Sequence, residues 1–283
     1  MIYLTVVSLI WAFSFSLIKT RLPGLDPALV AWARLVIPIP LFLPFFRPRG
    51  LPFRLMARLI LTGAVQYGLM YLAYLQAFRY LDAYQVALYT ILTPIYVALL
   101  DGLCRRRFKP ADFWAAVLAV GGAAVITYQR PAFRGILTGF LLVQLSNLCF
   151  AAGQIDYRNL RPRFRALKDR EVYALLFLGG AMATGPAVTL TGSWEQLARL
   201  SLSEAGTLLY LGAVASGLGF FWWNKGAVQT SAGTLAVFNN LKIPLAVAVS
   251  LLVFGEEADP VRLILGGAVI VTGLLLARQS GGK

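Results

Sequence analysis

Apolar runs of about 20 residues recur along the whole chain and constrain its fold more than any other feature, since a bilayer core of roughly 30 Å requires this length of a spanning helix. Short polar breaks separate the runs. With 59% hydrophobic and only 13% charged residues, the 283-residue chain has too little charge for a water-facing surface. We therefore predict an all-α integral membrane protein.

Counting the apolar runs predicts ten transmembrane helices. They cover residues 2–18, 27–46, 56–78, 83–101, 111–128, 136–156, 171–190, 205–223, 231–254 and 261–278. The links are short apart from two arms, at 157–170 and 191–204, so we expect no extramembrane catalytic domain. No basic residue precedes the first run and no cleavage site follows it, which favours a first helix over a cleaved signal.

Lys and Arg are distributed unevenly between the predicted links. Most of them fall in links that share the side of the N-terminus, including the Arg-rich arm at 157–170. The positive-inside rule then predicts an inner-membrane protein with both termini in the cytoplasm. The net charge of +14 follows from this topology and suits anionic lipid headgroups, so we expect membrane lipids and no nucleic acid as partners.

The residue types needed for metal or catalytic chemistry are scarce. The chain has no histidine and two cysteines, Cys104 and Cys149, which fall at separate depths, so we predict no disulfide, no metal site and no cofactor. A general base at membrane depth would normally be His, Asp or Glu. Only Lys242 could serve here, and we therefore predict no enzymatic activity and no catalytic residue.

The two halves of the chain show weak internal similarity. Residues 77–94 line up with residues 227–244, which places Pro94 and Pro244 at equivalent points of the fourth and ninth helices. Residues 115–122 (AAVLAVGG) then match residues 266–273 (GGAVIVTG). Because each half holds five helices, an odd number, the second half must be inverted. We predict two inverted five-helix repeats, residues 1–134 and 135–283, forming one membrane domain.

An ordered set of features resembles the EamA-like, ten-helix branch of the drug/metabolite transporter superfamily over nearly the whole chain. The set comprises Trp11 and Lys19 in WAFSFSLIK, Arg34 in the second helix, the prolines Pro94 and Pro244, and the glycine-containing fifth and tenth helices. The resemblance implies a substrate cavity lined by the first four helices of each half. It also implies transport by alternating access, with export as the expected direction.

Two cations are predicted near the middle of spans, where each costs about 2.5 to 3.5 kcal/mol to insert. Lys242 lies near the centre of the ninth helix beside Asn239, and Arg34 lies in the second. Lys242 is interpreted as a contact for a carboxylate or phosphate, or else as a titrating amine. Arg34 has two possible interpretations. It contacts the substrate, or it donates to backbone carbonyls freed by Pro38 and Pro40.

Uncharged polar and aromatic residues at similar depth complete the predicted substrate site. They are Trp11 and Ser14 in the first helix, Tyr67 in the third, Tyr89 in the fourth, and Gln144 and Asn147 in the sixth. Tyr67 belongs to a stripe with Tyr71 and Tyr74 at helical spacing. Packing between helices is the alternative reading for each of these side chains.

These features predict a secondary transporter of small organic solutes. Two buried cations favour a zwitterion or an anion, such as an amino acid or a carboxylate, and disfavour a bare cationic drug. A lipid-carrier flippase or an amine exporter on the same scaffold is the alternative. Gly266, Gly267 and Gly273 would permit close helix contact, so a homodimer through the last helix is a further expectation.

Overall fold

The computed structural model consists of helices joined by short links. It describes residues 2–104, 118, 133–229, 245–256, 259–261, 264, 265, 268, 269 and 272. Within these ranges seven helices are long and apolar enough to cross a membrane. They are α1 (Ile2–Arg21), α2 (Pro27–Phe45), α3 (Phe53–Ala77), α4 (Ala83–Leu103), α5 (Gly135–Phe164), α6 (Tyr173–Thr191) and α7 (Leu202–Gln229).

These seven helices overlap the first four and the sixth to eighth predicted spans. Two predicted spans were too short, because α5 continues to Phe164, into the predicted arm at 157–170, and α7 continues to Gln229. The all-helical membrane class is therefore confirmed for the described ranges, which contain no strand. The predicted fifth span lies outside the described residues. So do Asn239, Lys242 and Pro244 of the ninth span, of which residues 245–253 are described and helical, and the three glycines of the tenth.

Four of the spanning helices depart from regular α-geometry near the middle, and α4 does so in the 3₁₀ turn Thr90–Leu92. In α2 the regular helix ends at Val36, before Pro38 and Pro40, because proline lacks the amide hydrogen that the next turn requires. In α3 and α7 the residues Ala64–Leu69 and Tyr210–Leu218 form π-helical segments. Such segments occur frequently at functional sites.

The two π-helical segments have nearly the same sequence. Residues 63–69 read GAVQYGL and residues 212–218 read GAVASGL. The contacts follow the same correspondence. The helix α3 packs against α5 and α6, the first two helices of the second half. Its counterpart α7 packs in the same way against α1 and α2, the first two helices of the first half.

The helices α3 and α6 approach each other closely because glycines face the partner backbone. A Cβ atom on Gly63 would lie 1.9 Å from the carbonyl oxygen of Leu176, and one on Gly179 would lie 1.8 Å from that of Ile60. Neither position can accept a side chain without separating the helices. Small residues allow this kind of tight packing between membrane helices.

Candidate substrate site

A central cavity of about 70 Å³ lies between α1, α2, α3, α4, α5 and α7. Its apolar wall consists of Trp11, Phe15, Met70, Tyr71, Tyr74, Phe150 and Phe220. Its polar wall consists of Ser14, Arg34, Thr90, Thr93, Ser146 and Asn147. One water needs about 10 to 15 Å³ of such space, so the cavity holds a few waters, and a larger solute requires the helices to move apart.

Arg34 is the only charged residue among the described residues of the cavity wall. Its side chain comes from the regular part of α2 and is only 2% exposed. Arg34 Nε donates to Ser216 Oγ at 3.1 Å, and the guanidinium carbon lies 4.4 Å from the centroid of the Tyr71 ring. Arg34 Nη1 is buried and has no hydrogen-bond partner among the residues that the structure describes. A buried cationic donor of this kind favours an anion in the cavity.

Ser216, in the π-helical segment of α7, fixes the position of Arg34. Its hydroxyl donates to the carbonyl oxygen of Leu211 at 2.8 Å, a bond across five residues. The Tyr71 hydroxyl lies 2.8 Å from Ser216 Oγ. A serine hydroxyl donates once and accepts twice, so Ser216 accepts from both Arg34 and Tyr71. The arginine is thus held in place by residues from both halves of the chain.

Amide and hydroxyl groups of α4 and α5 form the rest of the polar wall. Asn147 Nδ2 donates to the carbonyl oxygen of Tyr89 at 2.9 Å and to Gln144 Oε1 at 3.1 Å. Asn147 Oδ1 accepts from Thr93 Oγ1 at 3.1 Å. Thr90 begins a 3₁₀ turn, Thr90–Leu92, that interrupts α4 just before Pro94. Asn147 therefore presents a fixed amide at the cavity wall.

Four of the residues predicted from the sequence meet at this cavity: Trp11, Ser14, Arg34 and Asn147. Trp11 Nε1 donates to the carbonyl oxygen of Ala215 at 2.8 Å, in the π-helical segment of α7. Ser14 Oγ donates to the carbonyl oxygen of Ile10 at 3.0 Å within its own helix. For Arg34 we considered contact with the substrate or hydrogen bonds to backbone carbonyls. In the described residues Arg34 Nε donates to a serine hydroxyl, that of Ser216, and to no backbone carbonyl.

Three other predicted residues lie beside the cavity and do not line it. Tyr67 Oη shares a hydrogen bond of 2.6 Å with Tyr173 Oη, and the Tyr67 ring stacks on Phe220 at 4.4 Å between centroids, so Tyr67 packs between helices. The Tyr89 ring packs against Phe140, and Gln144 supports Asn147. Asn239 and Lys242 lie outside the described residues.

Sequence reasoning did not single out Ser216, Thr90 or Thr93 as site residues. The two threonines sit one and four positions before Pro94, where a proline weakens helix pairing, and this spacing could have indicated them. The similarity of residues 63–69 and 212–218 could have drawn attention to Ser216. Its contact with Arg34 depends on the packing of α7 against α2.

Comparison with known proteins places the chain among transporters. The model of the EamA-like transporter family matches residues 1–128 and 137–279. A Pseudomonas aeruginosa protein named "Probable biotin transporter" is 42% identical, with 98% of this chain and 96% of that protein covered. The "Biotin transporter" of Salmonella typhimurium is 36% identical, with coverages of 99% and 93%.

A solved crystal structure has the same fold. It matches with a TM-score of 0.67, covers 98% of this chain and 95% of its own, and has 18% sequence identity, so the likeness concerns the fold alone. Together with the apolar helices, the relatives make this chain a multi-pass membrane protein and a transporter of small solutes rather than an enzyme. With the family model matched across both halves, the chain belongs to the EamA-like transporter family.

Proposed function

We propose that this protein transports biotin across the membrane by alternating access through the central cavity. The observation that carries the proposal is Arg34, a buried cation in the cavity wall whose Nη1 has no partner within the described part of the chain. Biotin carries one carboxylate on an aliphatic chain, attached to a fused ureido and thioether ring system. The biotin transporters that resemble this chain over nearly its full length support the same substrate.

The chemistry of the cavity wall matches the parts of this solute. The carboxylate would accept charge-assisted hydrogen bonds from the Arg34 guanidinium, which Ser216 and Tyr71 hold in place. The thioether ring and alkyl chain would pack on the aromatic wall around Trp11 and Phe220. The ureido group both donates and accepts, and amide and hydroxyl groups such as those of Asn147 and Thr93 complement it.

The cavity supports an amino acid less well than biotin. An amino acid at neutral pH carries an ammonium group beside its carboxylate, and a buried ammonium needs an acceptor of opposite charge. The described residues of the wall include no Asp or Glu. A cationic amine would in addition be repelled by Arg34. The biotin transporters that resemble this chain likewise favour biotin over the predicted amino acid substrate.

The proposed carrier consists of two inverted five-helix repeats, residues 1–134 and 135–283, with both termini in the cytoplasm. The paired π-helical segments, the matching contacts of α3 and α7, and the two separate matches to one family model support the repeat. The distribution of Lys and Arg supports the orientation. Lys242 and Asn239 remain predicted contacts of the second repeat.

The test is binding and transport of radiolabelled biotin by the full-length protein in proteoliposomes, with Arg34→Gln and Arg34→Lys beside the parent. The parent should prefer biotin to biotinamide, which lacks the charge. Losing a charge-assisted contact of about 1.5 to 3 kcal/mol should weaken biotin binding by Arg34→Gln about 10- to 150-fold. The variant should bind biotinamide much as the parent does.

Arg34→Lys keeps the charge and loses the forked donor, so its affinity for biotin should lie between those of the parent and Arg34→Gln. If the parent protein neither bound nor transported biotin, the proposed substrate would be refuted. If Arg34→Gln weakened the binding of biotin and of biotinamide equally, the loss would reflect structural damage. The assignment of Arg34 to the carboxylate would then be wrong. Thermal stability of each variant in detergent, measured beside binding, separates these outcomes.

A further inference from the structure

A second, smaller cavity of about 20 Å³ lies next to the central one. In each of α4, α5 and α7, a residue that lines the central cavity is followed four positions later by one that lines the second. These pairs are Thr93 and Val97, Phe150 and Gln154, and Phe220 and Asn224. Four positions correspond to about one helical turn, or about 5.4 Å. The second cavity therefore continues the first toward the carboxyl ends of all three helices.

One aromatic side chain, Trp223, contacts a residue of each cavity wall. Trp223 lines neither of them and is 1% exposed. Its ring centroid lies 5.0 Å from that of Trp11, which borders the central cavity. Its Nε1 donates to Gln154 Oε1 at 3.4 Å, in the wall of the second cavity. Trp223 therefore lies between Trp11 of the central cavity and Gln154 of the second.

The wall of the second cavity is mainly apolar and contains two buried amides, those of Gln154 and Asn224. Gln154 is 6% exposed and Asn224 is 1% exposed. Asn224 is fully engaged, because Nδ2 donates to Tyr67 Oη at 2.9 Å and Oδ1 accepts from Gln66 Nε2 at 3.1 Å. Within the described ranges Gln154 has one partner, Trp223, which donates to Oε1. The amide nitrogen of Gln154 is thus the group available to a solute. One turn further along α5, the exposed Arg158 completes the wall.

We propose that Gln154 forms a second substrate site on the translocation path, between the barrier at Trp223 and the membrane face at Arg158. The proposal rests on the proposed transport of a ureido carboxylate. At this site the Gln154 amide meets the neutral ureido group, and Arg158 attracts the carboxylate at the mouth. A solute leaving the central cavity would pass this site when the Trp223 ring moves aside.

The first test separates binding from passage in the full-length protein. Gln154→Leu should leave the Kd for biotin at the central cavity within about twofold of the parent, because Gln154 does not border that cavity. The initial transport rate in proteoliposomes should fall by up to about tenfold, the effect of one lost hydrogen bond during passage. Equal transport rates in Gln154→Leu and the parent would overturn the proposal.

Gln154 could instead act only by holding the Trp223 ring, and a matched variant tests this. Trp223→Phe keeps an aromatic barrier and removes the indole donor. If Gln154 contacts the solute, Gln154→Leu should transport more slowly than Trp223→Phe, because only the first variant removes the amide that meets the solute. An identical loss in both variants would make Gln154 a support for Trp223 and overturn the second site.

A second test maps the path with thiol labelling in a background lacking Cys104 and Cys149. A small, water-soluble thiol reagent applied at the Arg158 face should modify Gln154→Cys. Ala152→Cys, at almost the same depth on another side of α5, should react much more slowly. Equal reactivity at both positions, or none at position 154, would exclude a path along Gln154. Failure of the parent to bind biotin would instead refute the proposed function alone.

Discussion

The Arg34 guanidinium lies over the Tyr71 ring, with 4.4 Å between its carbon and the ring centroid, and both side chains bond to the hydroxyl of Ser216. Arg34 and Tyr71 come from the first half of the chain, and Ser216 comes from the second. The candidate anion site is therefore assembled across the two halves. Relative movement of the halves would change its geometry, as alternating access requires.

Ser216→Ala removes the hydroxyl that holds Arg34 and should weaken biotin binding without removing the charge. One lost hydrogen bond to a charged group is worth about 1.5 to 3 kcal/mol, which sets an upper range of about 10- to 150-fold on the loss of affinity. Equilibrium binding of radiolabelled biotin measures the effect. Ser146→Ala, which removes another hydroxyl of the cavity wall, is the matched control and should have the smaller effect. Wild-type affinity in Ser216→Ala would contradict the assignment.

Glu256→Gln should loosen one end of the bundle. The Glu256 carboxylate accepts from the backbone nitrogens of Ala83 at 3.0 Å and Tyr84 at 3.1 Å, so a residue of the second half caps α4 of the first. A charge at a helix N-terminus contributes about 0.3 to 1 kcal/mol. The neutral amide should therefore raise the equilibrium constant for opening of this end by about two- to fivefold.

The opening can be measured as the labelling rate of Ser14→Cys by a water-soluble thiol reagent, in a background without Cys104 and Cys149. Glu195→Gln is a control, because Glu195 pairs with Arg199 within one exposed turn and joins no helices. If Glu256→Gln and Glu195→Gln changed the labelling rate equally, Glu256 would not hold this end closed.

Gly179→Ala should severely destabilise the protein. Its Cβ would lie 1.8 Å from the Ile60 carbonyl oxygen, so α3 and α6 would have to separate, and overpacking of this kind costs about 1 to 3 kcal/mol or more. Thermal unfolding in detergent should show a clear decrease in the Tm. Gly206→Ala in α7 has open space around the new methyl group and should leave the Tm unchanged or raise it. Equal Tm values for the two variants would contradict the close packing.

The proposed orientation predicts one-sided labelling of Cys104. A membrane-impermeant thiol reagent should modify Cys104 only after the cytoplasmic face has been exposed, as in inside-out vesicles. A Cys104→Ser variant controls for reaction at Cys149. Labelling of Cys104 from outside intact cells would reverse the assignment of both termini.

Local sequence predicted the spanning helices well. The bilayer sets the length of an apolar run, and this requirement is met within each segment independently of its neighbours. The predicted starts and ends of α1 and α6 therefore lie within a few residues of the observed ones, and the second helix, containing Pro38 and Pro40, was placed almost as observed. The family, and with it transport rather than enzymatic activity, also followed from residues read in order along the chain.

The arrangement of the site depended on contacts between helices. The regular spacing of Tyr67, Tyr71 and Tyr74 predicted one face, but Tyr67 lies in the π-helical segment Ala64–Leu69, whose i to i+5 bonding changes the rotation per residue. Tyr71 and Tyr74 therefore border the cavity while Tyr67 packs between helices.

The order of residues alone is enough to predict the set of membrane helices and the presence of a cation within one of them, since hydropathy is a property of each segment. The tertiary structure decided which groups surround that cation. Arg34 meets Ser216 of α7 because small residues let α7 pack closely on α2, and a contact between residues so distant along the chain exists only once the helices have packed.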